Sequence, residues 1–174
     1  MGAIVETEKL TFHLQEIPEG QSKRTVDLTK EDLILENEVR FLEAKIDISF
    51  YKTNHFVDVT FNLVAKAELI CDRSLRAFEE DLEGSYHVHF DPNPVDDSET
   101  DKGAIRQIPA LDFKVDISKE VIDTIMLKVP IRKIHPDFLD EDGNPVEYET
   151  QKFSDNANKG DDIDPRWSAL KKLK

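Results

Sequence analysis

Apolar and polar residues alternate along the middle of the chain with the period of two that is typical of half-buried β-strands. Residues 42–50 carry apolar side chains at even positions, and residues 57–71 carry them at odd positions. The polar turn Lys52-Thr53-Asn54 lies before the second segment and favours an antiparallel hairpin. Residues 78–90 continue the pattern, mostly at even positions. The three segments together predict a β-meander at the centre of the fold.

Weaker patterns precede this meander. Residues 10–14 alternate and predict an opening strand, and residues 24–28 predict a second short strand. Thr29 then stands where an N-cap residue would begin a brief helix over residues 30–33.

The period changes near residue 117. Apolar side chains then recur at spacings near 3.6 residues, which predicts one amphipathic helix, at Ile117, Val121, Ile122, Ile125 and Val129. Asp116 or Ser118 would serve as its N-cap, and Pro130 would end it. Before this helix, residues 104–108 are predicted to return to the sheet.

Two charged stretches complete the organisation of the chain. Residues 91–102 hold two prolines and five acids, so we predict a mobile acidic loop at about 91–103. We predict a single α+β domain over residues 1–136, followed by an acidic linker and a basic C-terminal motif over 137–174. The fold class is α+β, mainly an antiparallel β-meander or partly closed sheet with one principal helix and an irregular acidic C-terminal tail.

The charge balance disfavours tight nonspecific binding to nucleic acids and to anionic membranes. Against 37 acidic side chains there are 23 basic ones, which gives a net charge of −14 and a field that repels nucleic-acid backbones and anionic membranes. The single cysteine excludes an internal disulfide. Neither a signal-peptide pattern nor an apolar run of about 20 residues occurs, so we expect a cytoplasmic protein.

Motifs of the common enzyme classes are missing from the sequence. It has no GxxxxGK[ST], GxGxxG, HExxH or GxSxG segment, and a hydrolase using its loop carboxylates would need a concave site that no motif locates. We therefore expect a non-enzymatic protein without a cofactor. Cys71 ends an apolar strand face, which favours a small buried side chain over a reactive thiol.

Two histidines deserve weighing as metal ligands. His87 and His89 lie two apart on one strand, so they share a face and could hold one metal with Asp81 or Glu83. The alternative is an ordinary charged sheet face, and we assign no metal.

Three segments carry a resemblance to a known family. Residues 68–78 contain the end of a strand, then Cys-x-Arg, then an aromatic residue. Residues 115–130 contain a predicted helix that begins after an Asp and ends at a Pro, and His135 follows it. Residues 164–173 begin with Asp-Pro and end in a basic stretch that contains leucines. Their order and spacing resemble the YceD-like family, the large ribosomal RNA subunit accumulation proteins of bacteria.

The resemblance implies a factor that supports accumulation of large-subunit (23S) ribosomal RNA in ribosome biogenesis. Relatives that carry Cys-x-x-Cys could hold a structural zinc, but this chain has Ser74 at the second position and no later cysteine. We therefore carry over no metal site and expect hydrophobic packing around Cys71 to replace it.

Basic residues and the terminal motif are the candidate partner-binding residues: Arg73, Arg132, Lys133, His135, Asp164, Pro165, Arg166, Trp167, Lys171 and Lys172. The Arg73 guanidinium suits a carboxylate or phosphate, or alternatively an ion pair that braces the next strand. Trp167 could anchor a partner or dock on the protein's own surface.

Charge favours one partner class. A net charge of −14 suits a basic large-subunit ribosomal protein or a pre-ribosomal particle better than broad docking on RNA. The alternative is direct ribosomal RNA binding through the basic residues after the helix and at the C-terminus, which predicts steep salt dependence. No membrane or small-molecule substrate is expected.

Overall fold

The computed structural model describes residues 8–33, 35, 39–93, 98–100, 103–108 and 113–146. In chain order, the strands and the helix are β1 (Thr11–His13), β2 (Gly20–Thr29), β3 (Arg40–Lys52), β4 (Val57–Ile70), β5 (Ala77–Asp91), β6 (Ser98–Glu99), β7 (Ala104–Gln107), β8 (Lys114–Asp116) and α1 (Ser118–Lys128). Single 3₁₀ turns lie at Glu8–Leu10, Leu14–Glu16 and Pro136–Phe138.

Six strands form one sheet in the order β2-β3-β4-β5-β7-β6. The predicted meander is confirmed, because β3, β4 and β5 pair as antiparallel neighbours along most of their length. β7 pairs with β5 in parallel, as a strand returning to the sheet after the acidic loop. The predicted partial closure is wrong: β2 and the two-residue β6 lie at opposite edges and do not pair.

The alternating apolar positions of the three long strands face the core, as their sequence pattern predicts. Ile46, Ile48 and Phe61 are among the fully buried side chains. One departure occurs at the start of β3, where the register shifts between Phe41 and Glu43. This bulge turns Phe41 into the core and leaves Leu42 only partly buried.

The remaining apolar elements complete the core. β1 pairs with β8 in a second small sheet, and the ring of Phe12 meets that of Phe50 edge-on with centroids 5.0 Å apart. α1 packs against β5 at Gly84, where an added Cβ would lie 2.5 Å from Cγ2 of Thr124. Glycine at this position therefore lets the helix approach the strand closely.

The brief helix predicted over residues 30–33 is wrong. Residues 30–32 form a turn, and no helix occurs there, because the carboxylate of Asp32 accepts hydrogen bonds from both the backbone N–H and the hydroxyl of Thr29. Thr29 is thus a donor to the turn. Within the acidic loop, Ser98–Glu99 pairs with β7 as β6, while residues 94–97, 101 and 102 lie outside the described residues.

The helix start also differs in detail from its prediction. Ile117 occupies the N-cap position and Ser118 is the first helical residue. Asp116 Oδ1 accepts a hydrogen bond from the backbone N–H of Ser118 at 2.9 Å. Asp116 therefore satisfies one of the first N–H groups of the helix, which have no acceptor within the helix. No helix of the described residues is long and apolar enough to cross a membrane.

Candidate functional site

A tight turn joins β4 to β5 and forms the base of the candidate site. In this turn, residues 71–76, the N–H of Leu75 donates to the carbonyl of Cys71 at 2.9 Å, and the N–H of Cys71 donates to the carbonyl of Arg76 at 2.9 Å. Leu75 adopts a left-handed conformation with φ +57° and is 78% exposed. The turn thus presents an apolar side chain to solvent at its tip.

The post-helix segment, residues 131–146, is fastened to this turn. The N–H of Asp72 donates to the carbonyl of Lys133 at 2.8 Å, and the N–H of Lys133 donates to the carboxylate of Asp72 at 2.8 Å. The N–H of His135 donates to Sγ of Cys71 at 3.2 Å. Two regions about 60 residues apart in sequence therefore form one surface.

Cys71 lies at the centre of this junction and is fully buried, as predicted. Burial opposes ionisation of its thiol, but donors around the sulfur, the Ser74 hydroxyl and the N–H groups of His135, Ser74 and Arg73, outweigh burial. The pKa of the thiol falls from 9.0 to about 7. The junction predicted to rest on hydrophobic packing is thus also held by hydrogen bonds to sulfur.

Two arginines contact one aromatic ring on this surface. The guanidinium carbons of Arg73 and Arg76 lie 5.6 and 5.5 Å from the centroid of Phe138, within cation–π range. Arg76 also pairs with Asp137 at 2.7 Å, and Arg73 donates to the carbonyl of Val146 at 2.8 Å. These contacts orient both side chains; we call Arg73, Arg76, His135 and Phe138 the arginine-aromatic cluster.

His135 connects this cluster to the core. Its ring meets Phe78 and Phe138 edge-on, with centroids 5.8 and 6.3 Å apart. Its Nδ1 accepts the N–H of Asp137 at 3.2 Å, so a neutral ring carries its proton on Nε2. His135 therefore orders the start of the Pro136–Phe138 turn.

The structure brings together three of the predicted site residues, Arg73, Lys133 and His135. Arg132 is exposed beside the fully exposed Ile131 and forms no ion pair with any residue that the structure describes. Arg76 belongs to the cluster but was missed, although it lies only three residues after Arg73 in the same 68–78 segment. The remaining predicted residues lie outside the described part of the chain: Asp164, Pro165, Arg166, Trp167, Lys171 and Lys172.

A buried ion network on another face was not predicted. Nε of Arg106, a residue only 15% exposed in its side chain, lies 2.9 Å from Oε1 of Glu120. Its guanidinium also donates a hydrogen bond to the carboxylate of Glu99, and Nζ of Lys119 lies 2.5 Å from Oε1 of Glu99. Burial raises the pKa of the Glu120 carboxyl, although the nearby Arg106 acts in the opposite direction. Hydrogen bonds from Lys119 and Arg106 lower the pKa of the Glu99 carboxyl. The network ties α1 to β6 and β7 beside a cleft of about 800 Å³.

The paired histidines of β5 share a carboxylate that the sequence pattern did not indicate. Oδ1 of Asp58, on β4, lies 2.7 Å from Nδ1 of His89 and 3.3 Å from Nε2 of His87. Asp58 faces His89 directly in the register of the two strands. Among the described residues, no group of three or more His, Cys, Asp or Glu side chains is arranged to hold a metal ion.

Comparison with known proteins gives one match. No curated protein and no solved structure matches the chain. A family model, described as large ribosomal RNA subunit accumulation protein YceD, matches residues 59–174. The matched region covers β4, the 71–76 turn, α1 and the post-helix segment. The chain belongs to the YceD family of large ribosomal RNA subunit accumulation proteins.

Proposed function

We propose that the protein is a non-enzymatic factor that supports large-subunit ribosomal RNA accumulation by contacting a basic ribosomal protein. The family name supports the link to large-subunit RNA. The net charge of −14 supports a basic protein as the direct contact, because opposite fields speed association and like fields resist it.

The observation that carries the proposal is the junction between the 71–76 turn and the post-helix segment. Both segments belong to the family match, and backbone and side-chain hydrogen bonds fix one to the other. Their surface exposes two large apolar side chains, Leu75 at 78% and Ile131 at 100%. A preorganised surface with exposed apolar groups suits a protein partner, since little ordering is needed on binding.

Direct RNA binding is the competing function, and the exposed Arg132 favours it most. This alternative uses Arg132 and Lys133 with the terminal Lys171 and Lys172. It requires affinity that falls steeply with salt, because each phosphate contact releases counterions.

The test is recovery of partners by tagged full-length protein from cell lysate, with and without ribonuclease. Retention of large-subunit proteins after ribonuclease treatment is the expected result. The matched variants are Leu75→Ser with Ile131→Ser, which remove the apolar contacts, and Arg132→Ala with Lys133→Ala, which remove the cations. Loss of recovery by the parent protein on ribonuclease treatment, together with loss of recovery by the cation variant in untreated lysate, would transfer the function to direct RNA binding.

A further inference from the structure

The outer edge of β5 is open over its first half. β4 pairs with one edge of β5 from Ala77 to Phe90, whereas β7 pairs with the other edge only from Val88 to Asp91. Over Ala77–Glu83, no described residue hydrogen-bonds to the outward-facing backbone. Since every second residue of such a strand turns its N–H and C=O outward, this edge offers a ready template for another strand.

Several features keep this edge accessible and regular. The register of β5 with β4 is continuous from Ala77 onward, so no bulge twists the edge away. The stretch contains no proline, and the close approach of α1 to β5 at Gly84 lies just beyond it. At about 3.3 Å per residue, seven residues span roughly 23 Å, enough for a short added strand.

The side chains of the edge select its occupant. Glu79, Asp81 and Glu83 are exposed on one face at every second position. On β4, the residues opposite Glu79 and Asp81 are Glu68 and Lys66, so a single lysine faces this acidic row. A second copy of the chain pairing here would bring acids close to acids, which is unfavourable. A strand with lysine or arginine at alternate positions would instead meet opposite charges along the row.

We propose that the β5 edge, Ala77–Glu83, binds a lysine- or arginine-rich extended segment of a partner protein as an added strand. Main-chain hydrogen bonds supply the attachment and the acidic row supplies the selectivity. The inference rests on the proposed function and names how a basic partner is held. The edge begins directly after the 71–76 turn, so the two surfaces adjoin.

The test uses the full chain and a synthetic nine-residue peptide that alternates lysine with valine or threonine. Three matched peptides serve as controls. One has glutamate at every lysine position. The other two keep their lysines but carry N-methyl groups on alternate backbone nitrogens, one at the odd and one at the even positions. Binding is measured by fluorescence anisotropy, and the site by hydrogen–deuterium exchange. The lysine peptide should bind and slow exchange of amides within residues 77–83. The glutamate peptide and one of the two N-methyl peptides should not bind.

A charge-neutral variant locates the selectivity. The triple variant Glu79→Gln, Asp81→Asn and Glu83→Gln should weaken binding of the lysine peptide by about tenfold, because each exposed charge contributes only modestly to affinity. The control variant neutralises exposed acids on β2 and β3, Asp27→Asn with Glu43→Gln, and should leave binding unchanged.

Three outcomes would overturn the inference: equal binding of both N-methyl peptides, protection of the outward-facing amides of residues 77–83 in the protein alone, or unchanged affinity of the charge-neutral variant. The first outcome would show that charge alone accounts for peptide binding. The second would show that another segment or a second copy of the chain already pairs with this edge. If peptide binding fails while ribonuclease-resistant recovery of large-subunit proteins persists, the proposed function stands and only the edge is wrong.

Discussion

The backbone N–H of His135 donates to the sulfur of Cys71 at 3.2 Å, across 64 residues of sequence. This bond joins the turn between β4 and β5 to the segment after α1, and Ser74 lies in the same turn three residues after Cys71. Among the groups that lower the pKa of the Cys71 thiol, the Ser74 hydroxyl has the largest effect. A hydrogen bond to a buried sulfur thus helps to hold the two segments together.

The first prediction concerns ionisation of Cys71. The pKa of about 7 in the folded state lies below the ordinary 9.0, so the folded state releases its proton at lower pH. The resulting stability is present above pH 9 and is lost as pH falls through 7. Thiolate absorbance at 240 nm, with Cys71→Ser as the blank, should rise around pH 7. A rise only near pH 9 would show that burial outweighs the donors.

Ser74→Ala should move the same titration to higher pH. The substitution removes the hydroxyl donor, the largest of the contributions that lower the thiol pKa, and leaves the N–H donors in place. An exposed serine of β5, Ser85→Ala, is the control. An identical titration in Ser74→Ala and the parent protein would contradict the assigned hydrogen bond.

Gly84→Ala should destabilise the fold by about 1–3 kcal/mol, because its new Cβ would overlap the Thr124 methyl group. Chemical denaturation measures the loss. Thr124→Ser removes that methyl but keeps the hydroxyl that donates to the carbonyl of Glu120. The double variant should recover part of the stability, and simple addition of the two single effects would argue against this contact.

Substitution by glycine should have opposite effects on the free energy of unfolding at two exposed leucines. Leu75→Gly should raise the free energy of unfolding by roughly 0.5–1 kcal/mol, because glycine adopts the left-handed φ of +57° without strain. Leu127→Gly should lower it by about 1 kcal/mol, because Leu127 is 84% exposed within α1. Thermal unfolding of both variants decides the point, and a loss at Leu75 would mean that its side chain packs against something.

Removing Arg106 should cost far more than removing Lys119. Arg106→Ala leaves the buried carboxylate of Glu120 without its cation, and breaking a buried pair in this way costs about 3–5 kcal/mol. Lys119→Ala removes an ion pair with both side chains about half exposed and should cost less than about 1 kcal/mol. Comparable losses in urea unfolding would show that the network does not depend on burial.

The strands were predictable wherever one face is buried over many residues. Alternation located β3, β4 and β5, since a slip by one residue would expose the whole apolar set. The bulge at Phe41 could not be read from the pattern, because Phe41 and Leu42 are both apolar and only packing decides which faces inward. Likewise, the β6 pairing depends on a partner strand and not on its own sequence, Ser98–Glu99.

The candidate site was predictable only in part for a similar reason. The Cys-x-Arg segment and the residues after the helix each stood out alone, but their junction depends on hydrogen bonds that the N–H of Lys133 donates to Asp72 and the N–H of His135 donates to Cys71. Arg106 and Glu120 lie on separate elements without a shared motif. Pairing between distant charged residues is set by the three-dimensional packing, so single-sequence patterns do not identify it.

The most direct test of the central claim is the ratio of large-subunit to small-subunit ribosomal RNA in cells of the native host. Cells lacking the protein should show a lower ratio, and expression of the full chain should restore it. Leu75→Ser with Ile131→Ser, at equal protein level and stability, should fail to restore it. An unchanged ratio on loss of the protein would contradict the account. Full rescue by the double variant would show that the surface of the 71–76 turn and the post-helix segment is not needed for this function.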